Sequence, residues 1–169
     1  METSTETMAY LNEDKYNIKR NTSHMLVYGK ILFKRSNIIE KIQNIAQKNL
    51  TLKTKYTKEE ILMHKYSIDD FWGEMQRDFK NNDCMAFDLN SHLLMKNIIE
   101  MFIKIKGEYL KQPKEMAYAI SDMDKKLGVY MKEFYNTGNM QDKLLIVPKI
   151  LNHIYKLSGG KLPQKWQIK

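Results

Sequence analysis

The chain has 169 residues, 43% of them hydrophobic and 28% charged, enough for one domain with a real core or one core plus an extension. Seven glycines and three prolines favour helices over a turn-rich sheet, and apolar runs broken by Lys, Asn or Glu are too short to span a bilayer. The net charge of +8 comes from lysines spread along the whole chain, with arginine only at Arg20, Arg35 and Arg77; base readout and phosphate clamping lean on arginine, so a nucleic-acid partner is not favoured.

The amino terminus begins Met1-Glu-Thr-Ser-Thr-Glu6, polar and acidic, the opposite of a secretory signal. Asn12-Glu-Asp14 reads as the start of a helix that runs to Tyr28 and stops at Gly29, with carboxylates in the first turn where the helix dipole favours them. Lys30–Lys34 is short and apolar at Ile31, Leu32 and Phe33, which suits a short edge strand. Ser36 then caps a helix with Ile38, Ile39, Ile42, Ile45 and Ala46 on one face, a period of 3.6.

Thr57-Lys-Glu-Glu60 has the capping-box pattern and opens a longer helix. Ser67-Ile-Asp-Asp70 repeats the pattern inside it, so a kink or a break near Ser67 is expected, with Tyr66, Phe71, Trp72, Met75 and Phe79 on the buried side. From Asp83 the chain is apolar almost all round, through Phe87, Leu89, Leu93, Leu94, Ile98, Ile99, Phe102, Ile103 and Ile105, as befits a central helix. Gly107 ends it.

Pro113 suits the first turn of the next helix. Ser121-Asp-Met-Asp124 is a further cap, leading to Leu127, Tyr130, Met131 and Phe134. Gly138-Asn139 turns the chain into a last helix bearing Leu144, Leu145, Val147, Leu151, Ile154 and Tyr155, bent at Pro148 and closed by Gly159-Gly160. The expected fold is all-α, a bundle of five or six helices with the one short amino-terminal edge strand as an optional addition.

Few side chains have the spacing that chemistry requires. Asp70, Glu74 and Asp78 stand at i, i+4 and i+8 and line one helix face, which suits a cationic small-molecule acceptor; a solvated face is the plainer reading. Asp122 and Asp124 would share a metal site on an extended strand, but at a helix start they diverge and read as a cap. His24, His64, His92 and His153 have no ligand spacing, and the single cysteine, Cys84, excludes both an internal disulfide and a zinc cluster; a reducing cytoplasm is the expected setting.

Three segments in order carry a resemblance: Tyr28-Gly-Lys-Ile-Leu-Phe-Lys-Arg-Ser-Asn37 followed by an apolar helix, Lys111-Gln-Pro-Lys114, and the closing helix with Gly159-Gly-Lys-Leu-Pro-Gln-Lys-Trp166. Together they resemble the helical carboxy-terminal part of small-molecule nucleotidyltransferases of the DNA polymerase β superfamily. The resemblance divides the chain into 1–35, similar to the exit from a nucleotidyltransferase domain, and 36–169, the helical bundle domain. A complete family member implies Mg²⁺ and a nucleoside triphosphate, held by a Gly-Ser turn and strand-borne aspartates. No Gly-Ser dipeptide occurs in this chain, so the resemblance implies no catalytic residue, no metal ligand and no cofactor here. Some helical domains of the superfamily resemble HEPN ribonucleases, but Arg20-Asn-Thr-Ser-His24 is one residue short of their Arg-to-His spacing.

The expected role is therefore an accessory module that binds an acceptor and dimerises, inactive by itself, as a fragment or as a module kept for another task. The alternatives are a freestanding helical interaction protein and a basic nucleic-acid-binding protein. The missing catalytic domain would pack on Met25, Leu26, Tyr28, Ile31 and Phe33, which makes them the expected contact with a second copy or a separate catalytic domain.

Overall fold

The computed structural model describes residues 4–32 and 37–163. Eight α-helices and no strand occur among the described residues: α1 (Ser4–Asp14), α2 (Asn21–Tyr28), α3 (Ile38–Thr51), α4 (Lys58–Lys80), α5 (Cys84–Lys106), α6 (Pro113–Met123), α7 (Lys125–Asn136) and α8 (Met140–Leu157). The all-α expectation holds, with eight helices in place of five or six. Lys30–Leu32 has no regular structure, and the rest of the expected edge strand lies outside the described residues, as does the expected cap Ser36. The chain forms two compact units, residues 1–55 with 107–110, and residues 56–106 with 111–169.

In the first unit, α1, α2 and α3 pack on one another around Leu11, Ile42 and Ala46, with Met8, Leu26, Val27 and Ile45 against them. The helix expected to start at Asn12 and run to Tyr28 does not form: Asn12–Asp14 is the end of α1, which begins at Ser4, and only Asn21–Tyr28 of the expected span is a second helix. α1 stops because the buried Asp14 carboxylate accepts the Ser23 backbone N–H at 2.6 Å, so it serves the first turn of α2 and not its own helix. The residues between turn their carbonyls outward: Tyr16 O accepts Lys55 N–H at 3.0 Å and Ile18 O accepts Leu110 N–H at 2.8 Å. These long-range backbone bonds satisfy groups that a continuous helix would have satisfied locally, and tertiary pairing overrides the local pattern.

In the second unit, α4 lies along α5, α8 packs on both, and α7 joins α6 to α8. α4 opens with the full capping box: Thr57 N–H donates to Glu60 Oε2 at 2.7 Å and Glu60 N–H to the Thr57 hydroxyl at 3.2 Å. No break occurs at Ser67; α4 is one continuous helix, with Lys65, Ile68 and Met75 buried on both sides of that point. Phe87, Leu94, Ile98 and Phe102 of α5 are all at 0% exposure, as its apolar pattern requires. Leu89, Leu93, Tyr66 and Phe79 are exposed, so α5 has an open side and the buried side of α4 is narrower than its aromatic residues suggest.

Glycine is required by geometry at two points that shape the second unit's helix ends and crossings. Gly107 ends α5 at φ 71°, in the left-handed region. Gly128 lets α7 cross α6 closely, since a Cβ there would meet the Ser121 Cα at 2.8 Å. Pro148 is accommodated inside α8, on an exposed position.

Candidate functional site

Among the described residues polar side chains meet at several places, three of them built by different local devices. The first is a groove of about 310 Å³ in the second unit, lined by Glu59, Glu60, Met63, His64, Ser67, Asn97 and Lys104. Glu60 and His64 are four apart on α4, and Asn97 and Lys104 are seven apart on α5, so each pair shares a helix face. The packing of α4 on α5 brings the two faces together. Lys104 Nζ donates to Glu60 Oε1 at 2.7 Å, and His64 Nδ1 lies 3.2 Å from Asn97 Oδ1.

The electrostatics of this groove are self-contained. Burial lowers the pKa of His64, and the Lys104 ammonium lowers it further against the opposing pull of Asn97, Glu100 and Glu60, so the imidazole is neutral at pH 7. The Lys104 hydrogen bond holds the Glu60 carboxyl below its usual range, burial opposing. With Nδ1–H donated to Asn97, the Nε2 lone pair is left as an acceptor. The groove thus has one neutral acceptor at His64, the Ser67 hydroxyl, the Glu60–Lys104 ion pair and the Glu59 carboxylate at its edge. That set suits hydrogen-bonded recognition of a small polar group.

The second place is the buried polar knot of the first unit, centred on Arg20, which is 1% exposed. Its guanidinium donates to Asn17 O at 3.0 Å, to Asn49 O, to Leu52 O at 2.7 Å and to Thr54 Oγ1 at 3.1 Å, and lies 5.0 Å from the Tyr109 ring centroid. Asn49 Nδ2 donates to Leu11 O at 2.7 Å and to Ser23 Oγ at 3.3 Å. Arg20 closes the carboxy-terminal end of α3, where helical carbonyls lack partners of their own. Its donors are committed to the fold. His24, four residues on, has its Nε2 buried without a hydrogen-bond partner and its ring 5.1 Å from Tyr28 and 5.5 Å from Tyr109.

The third place is the junction of α6, α7 and α8. Asp124 caps α7 through Leu127 N–H at 3.0 Å and binds His153 Nε2 at 2.8 Å. Burial pushes the Asp124 carboxyl up, but the Leu127 N–H and His153 outweigh it and hold the pKa below the ordinary value. Of the expected cap Ser121-Asp-Met-Asp124, Asp124 alone serves as one; Asp122 is exposed on α6, and Ser121 lies inside that helix with its hydroxyl donating to Ala117 O at 3.0 Å.

The stripe of Asp70, Glu74 and Asp78 does not present three open carboxylates. Asp70 is exposed, Glu74 pairs with Arg77, and Asp78 is buried and accepts from Asn90 Nδ2 at 2.7 Å. A helix turns about 100° per residue, so eight residues leave a lag of about 80°, enough to carry Asp78 round toward α5. Of the expected contact residues, Met25 is 74% exposed and Tyr28 72%, Ile31 is exposed and Leu26 is half-buried against the first unit's core; Phe33 lies outside the described residues. Leu32 and Ile38 add two more exposed apolar side chains to the same stretch of chain.

No group of three or more His, Cys, Asp or Glu placed to hold a metal ion occurs among the described residues, and no described helix is long and apolar enough to cross a membrane. Comparison with protein-family models, with curated proteins and with solved structures gives no match to this chain.

Proposed function

We propose that this chain is a nucleotidyltransferase-like helical module that works by binding, and that its first unit pairs with a second copy of the chain. The observation that carries the reading is the run of exposed apolar side chains at Met25, Tyr28, Ile31 and Leu32. Met25 and Tyr28 are three apart on α2 and share a face, while Leu26 and Val27 turn inward to the core. Large apolar side chains exposed together along one short stretch of chain are costly in water, and an interaction site is where such surface is kept. In the sequence it coincides with the segment that resembles the exit from a catalytic domain, which is where a partner would be sought. The groove at His64 and Lys104 is the best place for an acceptor molecule, because it offers fixed donors and acceptors on two packed helices.

The chain alone transfers no nucleotide on this reading, because two-metal phosphoryl chemistry needs a converging carboxylate cluster. Incubation of the pure protein with labelled ATP, Mg²⁺ and a panel of aminoglycosides and lincosamides tests it. No labelled adduct is expected. Sustained adduct formation that scales with protein would overturn the reading.

A further inference from the structure

We infer that the loop at residues 15–20, together with residues 53–55, forms a binding surface for single-stranded nucleic acid. It uses none of the residues proposed above for self-association. Lys55 N–H donates to Tyr16 O at 3.0 Å, which joins the two lysine-bearing segments by a backbone bond, and Thr54 N–H donates to Gly107 O at 2.8 Å, which anchors the second of them. Arg20 locks the same junction from inside by joining Asn17, Leu52 and Thr54. The surface is therefore preorganised.

On it, the Lys55 ammonium lies 3.8 Å from the Tyr16 ring centroid and the Lys15 ammonium 5.3 Å from the same centroid. Two like charges are thus held against one ring that is 37% exposed. Lys19 and Lys53 add exposed charges on the same two segments, and none of the four lysines has a carboxylate partner among the described residues. The nearby Glu108 acts on the buried Arg20 guanidinium, where it opposes the lowering of its pKa by burial; Glu13 is the exposed acid on the adjoining helix end.

Paired ammonium groups around an exposed aromatic ring fit a chain of phosphates with bases between them. Phosphates draw the two ammonium groups off the ring, and a base stacks on the face they leave. Single strands fit better than a duplex, whose bases are already stacked. The sparse arginine of the chain is no obstacle, since lysine serves as a point charge for phosphate and stacking tolerates any base.

Fluorescence anisotropy of a short labelled oligouridylate, read over a salt series with the full chain, is the test. Binding is expected at low salt. Lys15→Ala with Lys55→Ala should weaken it at least about tenfold and make the salt slope shallower by about 1.4, roughly 0.7 for each phosphate no longer neutralised. Tyr16→Ala should weaken binding to oligouridylate more than to an abasic strand of the same length. The pair Lys132→Ala with Lys156→Ala, exposed on the second unit, should leave the slope unchanged. The proposal is overturned by no binding at low salt, by equal losses in the two lysine pairs, or by a Tyr16→Ala variant that binds both strands as the parent does. Binding to phosphatidylserine vesicles without binding to the oligonucleotide would also overturn it.

Discussion

The Arg20 guanidinium donates to the Leu52 carbonyl at 2.7 Å, across 32 positions of sequence, and so fixes the chain leaving α3 against the loop that precedes α2. Removing this side chain strips partners from the carbonyls of Asn17, Asn49 and Leu52 and leaves a void beside Tyr109. Arg20→Ala should therefore destabilise the first unit by about 3 kcal/mol. Arg20→Lys should recover little of it, because an ammonium cannot reproduce the planar fork. Urea unfolding followed by circular dichroism measures both.

At the α6–α7 crossing, Gly128→Ala places a Cβ 2.6 Å from Ser121 Oγ and 2.8 Å from its Cα. The hydroxyl can rotate away, but the Cα cannot, so the helices must separate. A loss of about 1–3 kcal/mol is expected, as for overpacking in a closed interface. An unchanged melting temperature would mean that the crossing is looser than the structure has it.

Asp124 contributes to the acid sensitivity of the second unit. Its pKa is depressed in the folded chain, so its contribution is present above its ordinary value of 3.8 and is lost as pH falls through the lower folded value. Stability should therefore fall with acid below about pH 4 in the parent, and less steeply in Asp124→Ala. At neutral pH that variant loses the α7 cap and the His153 bond, a cost of about 1–2 kcal/mol. Urea midpoints collected from about pH 2.5 to about pH 7 test the slope, within about half a pH unit.

The Tyr155 hydroxyl donates to Asp69, joining α8 to α4. Burial, and then the Asp69 carboxylate, raise the pKa of this phenol far above its ordinary 10.0. A raised phenol favours the folded state only while it keeps its proton, so stability should fall as pH rises through 10. Tyr155→Phe should flatten that alkaline loss and cost about 1 kcal/mol at neutral pH. Tyrosine absorbance on alkaline titration should show one group that ionises only on unfolding.

Much of the fold is legible in the sequence where one local signal suffices. The unbroken apolar pattern of Phe87, Leu94, Ile98 and Phe102 names the central helix, and Thr57 with Glu60 and Asp124 with Leu127 name their caps. The failures share a cause. The break between Asp14 and Asn21 depends on Lys55 and Leu110, far along the chain, and the unbroken run of α4 through Ser67 depends on what packs against Ile68. The groove is legible only by halves: the Glu60 to His64 and Asn97 to Lys104 spacings are in the sequence, but their meeting depends on the pairing of α4 with α5. Asp78 left its expected stripe because helix pitch and burial act together over two turns.

Self-association through the exposed run at Met25, Tyr28, Ile31 and Leu32 is read out by light scattering at micromolar concentration. The charge of +8 opposes association only modestly at physiological salt, since screening acts over about 8 Å. A dimer is expected for the parent chain and a folded monomer for Tyr28→Asp with Ile31→Asp, both positions being exposed. A parent chain that stays monomeric at every concentration, or a dimer that survives both substitutions, would overturn the proposed pairing.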